Sequence, residues 1–406
     1  MLILSVFTCL PQGIIGNMKY YEVAPTKIVR TGNNTFTYAS KDTLLLGSFV
    51  QINVGKSQLI GIVVSTTPKP SYDTKEISEQ LPLPPLPAAL LTTAIWMAEY
   101  YHTHLASVLQ TVLPRGITTK RRAKKQLSPE VKRDRTHFVF NKDQLMALEQ
   151  LSDSSPGTVL LHGVTGSGKT AVYIEYAKQT LAAGKSVILL VPEIALTSQL
   201  VAEFRQFFPD IILTHSRQTE AERHLCWLDA ISSSRPRVVI GPRSALFMPL
   251  SDIGAIIIDE AHEPSFKQDQ APRYSALRVA GVLAKQHNGL VIQGSATPLI
   301  SEYYLAEHNR RPIITLPRRA RSDAKTPDVT VVDMTKKDSF RQHHFMSDKL
   351  ISTIQQTLDS KHQVLIFHNR RGSASTSLCE SCGWSAMCPR CFIPFTLHAD
   401  KHQLRC

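Results

Sequence analysis

The stretch Gly163-Val164-Thr165-Gly166-Ser167-Gly168-Lys169-Thr170 constrains this chain more than any other. It matches the pattern G-x-x-x-x-G-K-[ST] in full. An apolar run, Val159 to His162, precedes it, and a helical run, Ala171 to Ala182, follows it. A strand that turns through glycines into a helix makes a phosphate cradle, because the backbone N–H groups of the turn point at one volume. Lys169 can neutralise the β- and γ-phosphates, and Thr170 can ligate Mg²⁺. All eight residues are candidate nucleotide contacts, with ATP and Mg²⁺ as the expected ligands.

The flanking sequence supplies the sheet that such a turn needs. From residue 137 onward, strands alternate with helices. Ser186 to Val191, Val238 to Ile240, Ala255 to Ile258 and Leu290 to Gln293 read as apolar strands, and Ser198 to Phe208 as a helix. Near-continuous apolar strands between helices predict an α/β fold with a parallel sheet covered on both faces. Asp259-Glu260-Ala261-His262 follows one of these strands, at the strand end where open α/β sheets place their sites. Asp259 is expected to hold Mg²⁺ and Glu260 to polarise the attacking water, which makes Lys169, Asp259 and Glu260 the catalytic candidates. Gly294-Ser295-Ala296-Thr297-Pro298 follows the next strand. The small hydroxyl residues Ser295 and Thr297 could relay nucleotide state to a second surface.

That second surface is expected to meet a polyanion. Lys and Arg number 46 against 33 Asp and Glu, a formal net charge of +13. Nucleic acid stands ahead of a membrane as the partner, and no apolar run is long enough to span a bilayer. Residues 114–136 concentrate the charge in Lys120 to Lys125 (KRRAKK) and Lys132 to Arg135 (KRDR), without apolar periodicity, and read as a basic linker. Of seven cysteines, Cys9 and Cys226 are scattered and five follow residue 378. This is not the spacing of a disulfide-stapled secreted domain. It suggests a reducing compartment, hence a cytoplasmic protein, with a local metal site. Cys379-x-x-Cys382 and Cys388-x-x-Cys391 are paired knuckles that favour tetrahedral Zn²⁺, and these four thiolates could close one site by themselves. Cys406 is a further candidate ligand.

Residues 18 to about 72 carry short β-rich runs at Tyr20 to Val23, Thr35 to Tyr38, Phe49 to Val54 and Leu59 to Ser65, separated by turn residues. A stiff Pro-rich connector, LPLPPLP, leads into a helical segment over 88–110, with Leu90, Ile95, Met97, Leu105 and Leu109 as core contacts. The expected organisation is therefore a small β-rich N-terminal domain (18–113), the basic linker (114–136) and a parallel-sheet lobe (137–318). A connector (319–345), the start of a second lobe (346–378, with a helix Leu350 to Leu358 and a strand Gln363 to Phe367) and a partial zinc module (379–406) follow. Residues 1–17 are apolar but lack the basic start and cleavage site of a signal peptide, and read as an over-called start before Met18.

Taken in order, GSGKT, DEAH and SAT resemble a superfamily 2 helicase motor, in which the lobe is RecA-like. Gln144, in Asn141-Lys142-Asp143-Gln144, sits where such motors carry an adenine-recognising glutamine. More specific stretches resemble the PriA family of replication-restart DNA helicases. They are GVTGSGKT followed by Val172-Tyr173, VPEIALTSQ (Val191 to Gln199), GPRSALFMPL (Gly241 to Leu250) and DEAH followed by Phe266-Lys267-Gln268. Asn369-Arg370-Arg371-Gly372 running into CESCGWSAMCPRC (Cys379 to Cys391) is the most diagnostic.

The resemblance implies an ATP-dependent 3′→5′ helicase that recognises branched DNA at stalled forks and restarts replication through primosome assembly. Forked and single-stranded DNA, a single-stranded DNA-binding protein and primosome proteins are the implied partners. Alternatives are another superfamily 2 DNA translocase or a non-catalytic fork-binding adaptor. The front end resembles the family's 3′-end DNA-binding domain, with Phe36, Thr37, Gly55 and Lys75 at its pocket positions, although Thr37 stands where the family usually has an acidic residue. Trp96 to His102 resembles the helix that closes that domain. The linker is too short for the family's winged helix. In the loop after DEAH, Phe266 and Lys267 are implied DNA contacts, and Ala271-Pro272 stands where a tryptophan is common. The family interleaves two zinc sites: Cys379 and Cys382 would pair with cysteines downstream, and Cys388 and Cys391 with Cys406 and one more. On this reading the chain is an N-terminal fragment that binds nucleotide but hydrolyses it poorly.

Overall fold

The computed structural model describes residues 18–119, 138–192, 198–320, 328–333, 336–343, 346–367, 381–398 and 402–406. They belong to two compact units, Met1–Ala324 and Lys325–Cys406. No helix among the described residues is long and apolar enough to cross a membrane.

The first unit opens with a six-stranded sheet. Its strands are β1 (Lys19–Pro25), β2 (Phe36–Ser40), β3 (Phe49–Val54), β4 (Ser57–Thr67) and the two-residue β5 (Lys75–Glu76) and β6 (Glu79–Gln80), in the order β5-β2-β1-β4-β3-β6. The long strands pair antiparallel, and β5 joins β2 in parallel. Alternation sends side chains to two faces. Tyr21, Val23, Tyr38, Val50, Ile52 and Val63 close one core, whereas Ala24, Phe49 and Ile62 face the other way.

The second face is covered by α1 (Ala88–Tyr100) and α2 (Leu105–Val112). One helical segment was expected over 88–110, and the chain makes two. His102 turns the backbone with φ 47°, and His104 caps α2 by accepting from the Ala106 N–H at 3.1 Å. Leu90, Met97, Leu105 and Leu109 are buried as expected, and Ile95 is partly so.

The nucleotide lobe is a seven-stranded parallel sheet. After α3 (Lys142–Ser152) it runs β7 (Gly157–Gly163), α4 (Lys169–Ala182), β8 (Ser186–Leu190), α5 (Ser198–Phe207), β9 (Ile211–Leu213), α6 (Glu220–Ser232), β10 (Val238–Gly241), β11 (Ile253–Ile258), α7 (Ala276–Gln286), β12 (Leu290–Ser295), α8 (Ile300–His308) and β13 (Ile313–Leu316). The strand order is β13-β7-β12-β11-β8-β10-β9, and every pairing is parallel. Residues of β8, β10 and β11 are buried on alternate sides into two separate cores, which is why these runs lack polar alternation. Two capping boxes, Asn141 with Gln144 and Thr219 with Glu222, start α3 and α6.

One of those cores is shared with the front sheet. Phe49, Ile62, Leu86, Met97 and Leu109 join Trp227, Phe247, Tyr274, Val279 and Leu283 in one apolar cluster. Phe49 meets Trp227 edge-on, with centroids 6.0 Å apart. The basic linker suggested a tethered front domain, yet helices α1 and α2 bury directly against the lobe. Most of that linker, residues 120–137, lies outside the described residues.

The second unit contains α9 (Asp348–Asp359) and a hairpin of β14 (Thr396–His398) and β15 (Gln403–Arg405). The expected helix is present, but none of its residues is buried. The expected strand Gln363–Phe367 is not formed: the segment is irregular, with Leu365 94% and Phe367 85% exposed. A strand is defined by the neighbour that accepts its hydrogen bonds, and no described strand lies alongside this one.

Candidate functional site

The glycine-rich turn connects β7 to α4 at one end of the parallel sheet. Gly166 and Gly168 hold φ of 77° and 83°, the left-handed region that favours glycine. At Gly168 a side chain would also strike Gln144, whose Nε2 would lie 2.2 Å from the added Cβ. Lys169 is 9% exposed and donates to Gly163 O at 3.1 Å, so its amine points back into the turn. Ser167 Oγ is buried and has no hydrogen-bond partner among the described residues. An orphaned hydroxyl beside a lysine in a turn of N–H donors fits an anionic ligand with several acceptor oxygens. Thr170 is half-buried at the first turn of α4, and Val164 and Thr165 are exposed on the rim.

Gln144 sits below this turn. Its carboxamide oxygen accepts from the Asn141 N–H at 2.9 Å, and its Nε2 donates to Ser167 O at 2.9 Å. The residue placed by resemblance at an adenine contact is 4% exposed and braces the phosphate turn against α3. Arg318 clamps the same helix through two bonds to Asp143, of 2.8 and 2.6 Å, and holds that carboxyl below the usual carboxylate range.

Asp259 and Glu260 emerge from β11 beside the turn. Burial, and then the neighbouring Glu260 charge, push the Asp259 carboxyl above its ordinary range, while Lys169 and a hydrogen bond from Tyr173 oppose the rise. Such a carboxylate gains from a cation, and with the Thr170 hydroxyl the donor set fits Mg²⁺. Glu260 has φ 49°, a strained conformation for a non-glycine residue that turns its side chain out of the strand direction. The neighbouring strand closes the site: the Ala261 N–H donates to Gly294 O at 2.9 Å, and His262 Nδ1 shares a 2.8 Å hydrogen bond with Ser295 Oγ. Ser295 Oγ also accepts from the Thr297 N–H at 3.0 Å, and His262 lies 3.5 Å from Glu260 Oε2. The three motifs are thus brought to one end of one sheet.

Tyr173 has no role in the sequence motifs themselves. It is fully buried, donates to Asp259 Oδ1 at 3.1 Å, and has its own ionisation suppressed, first by burial and then by the Asp259 charge. Its position one turn after Thr170 on α4 was the available signal, because residues spaced three or four apart share a helix face.

The post-DEAH loop departs from expectation. Phe266, an implied DNA contact, is 2% exposed and packed in the shared core, so its ring offers no face to a nucleic-acid strand. Tyr274 is likewise buried. Lys267 is exposed, with its amine 5.5 Å from the centre of the Tyr101 ring on the segment after α1. The Ser275 N–H donates to Tyr101 Oη at 3.0 Å, and Arg243 donates to the carbonyls of Ser265 and Lys267. The loop is therefore bound to the front domain through its own backbone.

In the front sheet, Gly55 and Lys75 line one shallow concavity of ≈ 570 Å³ with Asn53, Glu76, Ile77 and Ser78. Phe36 and Thr37 lie on β2, beside β5. The Thr37 hydroxyl donates to Glu22 Oε1 at 2.6 Å and lies 2.8 Å from Tyr72 Oη.

In the second unit, the Sγ atoms of Cys388, Cys391 and Cys406 lie within 4.8 Å of one another. Cys388 is buried, and backbone N–H donors of Arg390 and Cys391 lower its thiol to about 7. Hydrogen bonding to Cys391 and then Cys388 raises Cys406 to about 11. Three convergent thiols with one already acidic fit a thiolate-loving cation such as Zn²⁺. This grouping differs from a single site built of four cysteines over residues 379–391. Cys382 is exposed and outside the cluster, and Cys379 lies outside the described residues.

Fold and site define a helicase motor lobe carried on the same core as a small β domain. The DEAD/DEAH box helicase family matches residues 141–304, and the 3′DNA-binding domain (3′BD) family of PriA matches residues 27–114. Replication restart protein PriA of Rickettsia felis is 34% identical over 370 residues, 89% of this chain and 56% of that protein. The Helicobacter pylori protein of the same name is 33% identical over 392 residues, 96% of this chain and 59% of the relative. That of Haemophilus influenzae is 40% identical over 271 residues, 66% and 36% of the two chains. The chain belongs to the PriA family of replication restart proteins. It spans a little over half the length of the Rickettsia and Helicobacter relatives.

Proposed function

We propose that the chain is the DNA-engaging, nucleotide-binding part of an ATP-dependent 3′→5′ DNA helicase that acts on branched DNA at stalled forks to restart replication. One observation carries this reading. The P-loop, the Asp259–Glu260 pair and the Ser295–Thr297 segment converge at one sheet end, in a lobe that shares its core with a 3′DNA-binding domain.

In this reading the turn 163–170 holds the triphosphate, with Lys169 on the β- and γ-phosphates. Mg²⁺, when bound, supplies positive charge to the phosphate oxygens. Asp259 and Thr170 hold it, and Glu260 orients and polarises the attacking water. Departure of the γ-phosphate alters what Glu260 faces, and His262 passes that change to Ser295 and so to the segment ending at Thr297. Gly55 and Lys75 receive the end of a DNA strand, and Lys267 contacts the phosphate backbone, which makes binding salt-sensitive and indifferent to sequence. Primosome proteins and a single-stranded DNA-binding protein are the protein partners that the family resemblance implies. Cys388, Cys391 and Cys406 hold one Zn²⁺, and Cys379 and Cys382 contribute to a second.

The test is nucleotide binding and hydrolysis by the chain, with and without forked DNA, beside Lys169→Ala. Fork-stimulated hydrolysis that Lys169→Ala abolishes supports the helicase reading. Fork binding with no nucleotide response points to a fork-binding adaptor.

A further inference from the structure

Tyr173 is a buried side chain that reaches two of the three nucleotide motifs from the helix that follows the P-loop. It lies on α4 four residues beyond Lys169, its ring is fully buried, and its hydroxyl donates to Asp259 Oδ1 at 3.1 Å. The same hydroxyl presses on β12. A Cβ built on Gly294 would lie 1.7 Å from Tyr173 Oη, and the three nearest heavy atoms to that Cβ all belong to the Tyr173 ring and hydroxyl. Gly294 in turn receives the Ala261 N–H through its carbonyl and precedes Ser295, the partner of His262. The absence of a side chain at Gly294 is what leaves room for the hydroxyl to reach Asp259.

We propose that Tyr173 is a positioning residue for the metal step: its hydroxyl fixes the Asp259 carboxylate by occupying one oxygen, so that the other is presented to Mg²⁺ beside Thr170, and Gly294 exists to admit it. A carboxylate free to rotate at the end of a strand presents either oxygen, or both, to a cation. A phenol that donates to Oδ1 removes that freedom, because the ring is locked by packing on every side. A hydrogen bond to a charged acceptor in a buried site is also among the stronger ones. A phenylalanine here would fill the same volume for packing, so the hydroxyl needs a reason beyond the core. Its ordinary alternative, a buried phenol satisfied by the nearest acceptor, does not account for the bare strand position opposite.

This inference rests on the reading of Asp259 as the Mg²⁺ ligand, and the experiment separates the two. Binding of a fluorescent ADP analogue to the whole chain is titrated with Mg²⁺, and in parallel measured in EDTA, for wild type, Tyr173→Phe, Gly294→Ala and the double variant. Thermal unfolding without nucleotide is the folding control. If wild-type binding is indifferent to Mg²⁺, the assignment of Asp259 fails. Where wild type responds, Tyr173→Phe is expected to need about tenfold more Mg²⁺ for half-maximal binding, the lower end of what a charged hydrogen bond contributes. Its EDTA-state affinity and melting temperature stay at wild-type values. Gly294→Ala is expected to raise the Mg²⁺ midpoint as well, because its methyl would overlap the hydroxyl, and also to lower the melting temperature, because the enclosed ring has little room to move. The double variant is expected to be no worse than either single one, since both act through the same bond. An unchanged Mg²⁺ midpoint in Tyr173→Phe overturns the proposal. So does a loss of EDTA-state affinity or of melting temperature equal to the loss with Mg²⁺, or strict additivity in the double variant.

Discussion

The parallel sheet of residues 157–316 and the segment 348–367 were both read from the same kind of signal, a short apolar run beside a helix, and they fold to opposite ends of the burial scale. Ile256, Ile257 and Ile258 on β11 are wholly buried, whereas Leu365 is 94% exposed in a run of similar composition. The difference lies in neighbours. β11 has β12 on one side and β8 on the other, with a core on each face. The run 363–367 has no described strand beside it, and α9 buries none of its residues. Apolar sequence stores a capacity for burial, and only a complementary surface realises it. In the second unit, three thiols converge among the described residues. Small domains that cannot build a sufficient core are often held together by a metal instead.

Core truncation tests that contrast most severely. Ile257→Ala is expected to cost about 2–5 kcal/mol of unfolding free energy, the range for large-to-small changes in a packed core. Leu365→Ala is expected to stay within about 0.5 kcal/mol, as for surface changes. Urea unfolding of the two variants measures both, and equal costs would break the comparison.

The thiol cluster gives the next largest effect. Cobalt substituted into the second unit is expected to show thiolate charge-transfer absorption that weakens in Cys406→Ser, with affinity reduced more than about tenfold, or 1.4 kcal/mol. Cys382→Ser leaves the three-thiol cluster intact and is expected to spare that band. A band lost with Cys382 and retained without Cys406 would restore the four-cysteine grouping.

Local caps contribute less. Asn141→Ala removes one half of the capping box at α3 and is expected to cost about 1 kcal/mol. Both partners of the Gln144 carboxamide are backbone groups, the N–H of residue 141 and Ser167 O, and survive the substitution, so nucleotide affinity is expected to stay near the wild-type value, read in one titration alongside the melting temperature.

The smallest expected effect is a pH slope. Burial depresses the His287 imidazole below its ordinary value of 6.5, against the attraction of Asp252 at 3.7 Å, with the Lys185 charge adding to the depression. The unfolded chain therefore takes up a proton before the folded one does. Stability is complete above 6.5 and declines as the pH falls from there toward the lower folded value. His287→Gln should flatten the slope of melting temperature below that pH. A slope that survives the substitution would assign it to other groups.

Much of this was legible in the chain alone. The P-loop announces itself because a phosphate cradle needs glycine at left-handed positions and a lysine and hydroxyl at fixed offsets, and those demands are local. Asp259 and Ser295 were legible because strand ends in a parallel sheet share one edge. Cysteine spacing showed that thiols gather after residue 378, although not which would meet: the partner of Cys391 lies fifteen residues on, in Cys406, at 3.4 Å. Phe266 was placed at DNA by resemblance, and an aromatic residue in a loop looks the same on paper whether its ring faces a core or a strand of DNA.

The sequence by itself determined the chemistry, the class of sheet and the order of the motifs, since each depends on residues close together along the chain. Tertiary structure alone decided what those residues touch. It fused the front sheet to the motor through Phe49 and Trp227, sank Phe266 into that shared core, turned Gln144 into a brace, and set Tyr173 between Asp259 and Gly294. These contacts join residues tens to nearly two hundred positions apart. Nothing in a linear pattern encodes them, because packing is settled by the shapes of surfaces that exist only once the elements have formed.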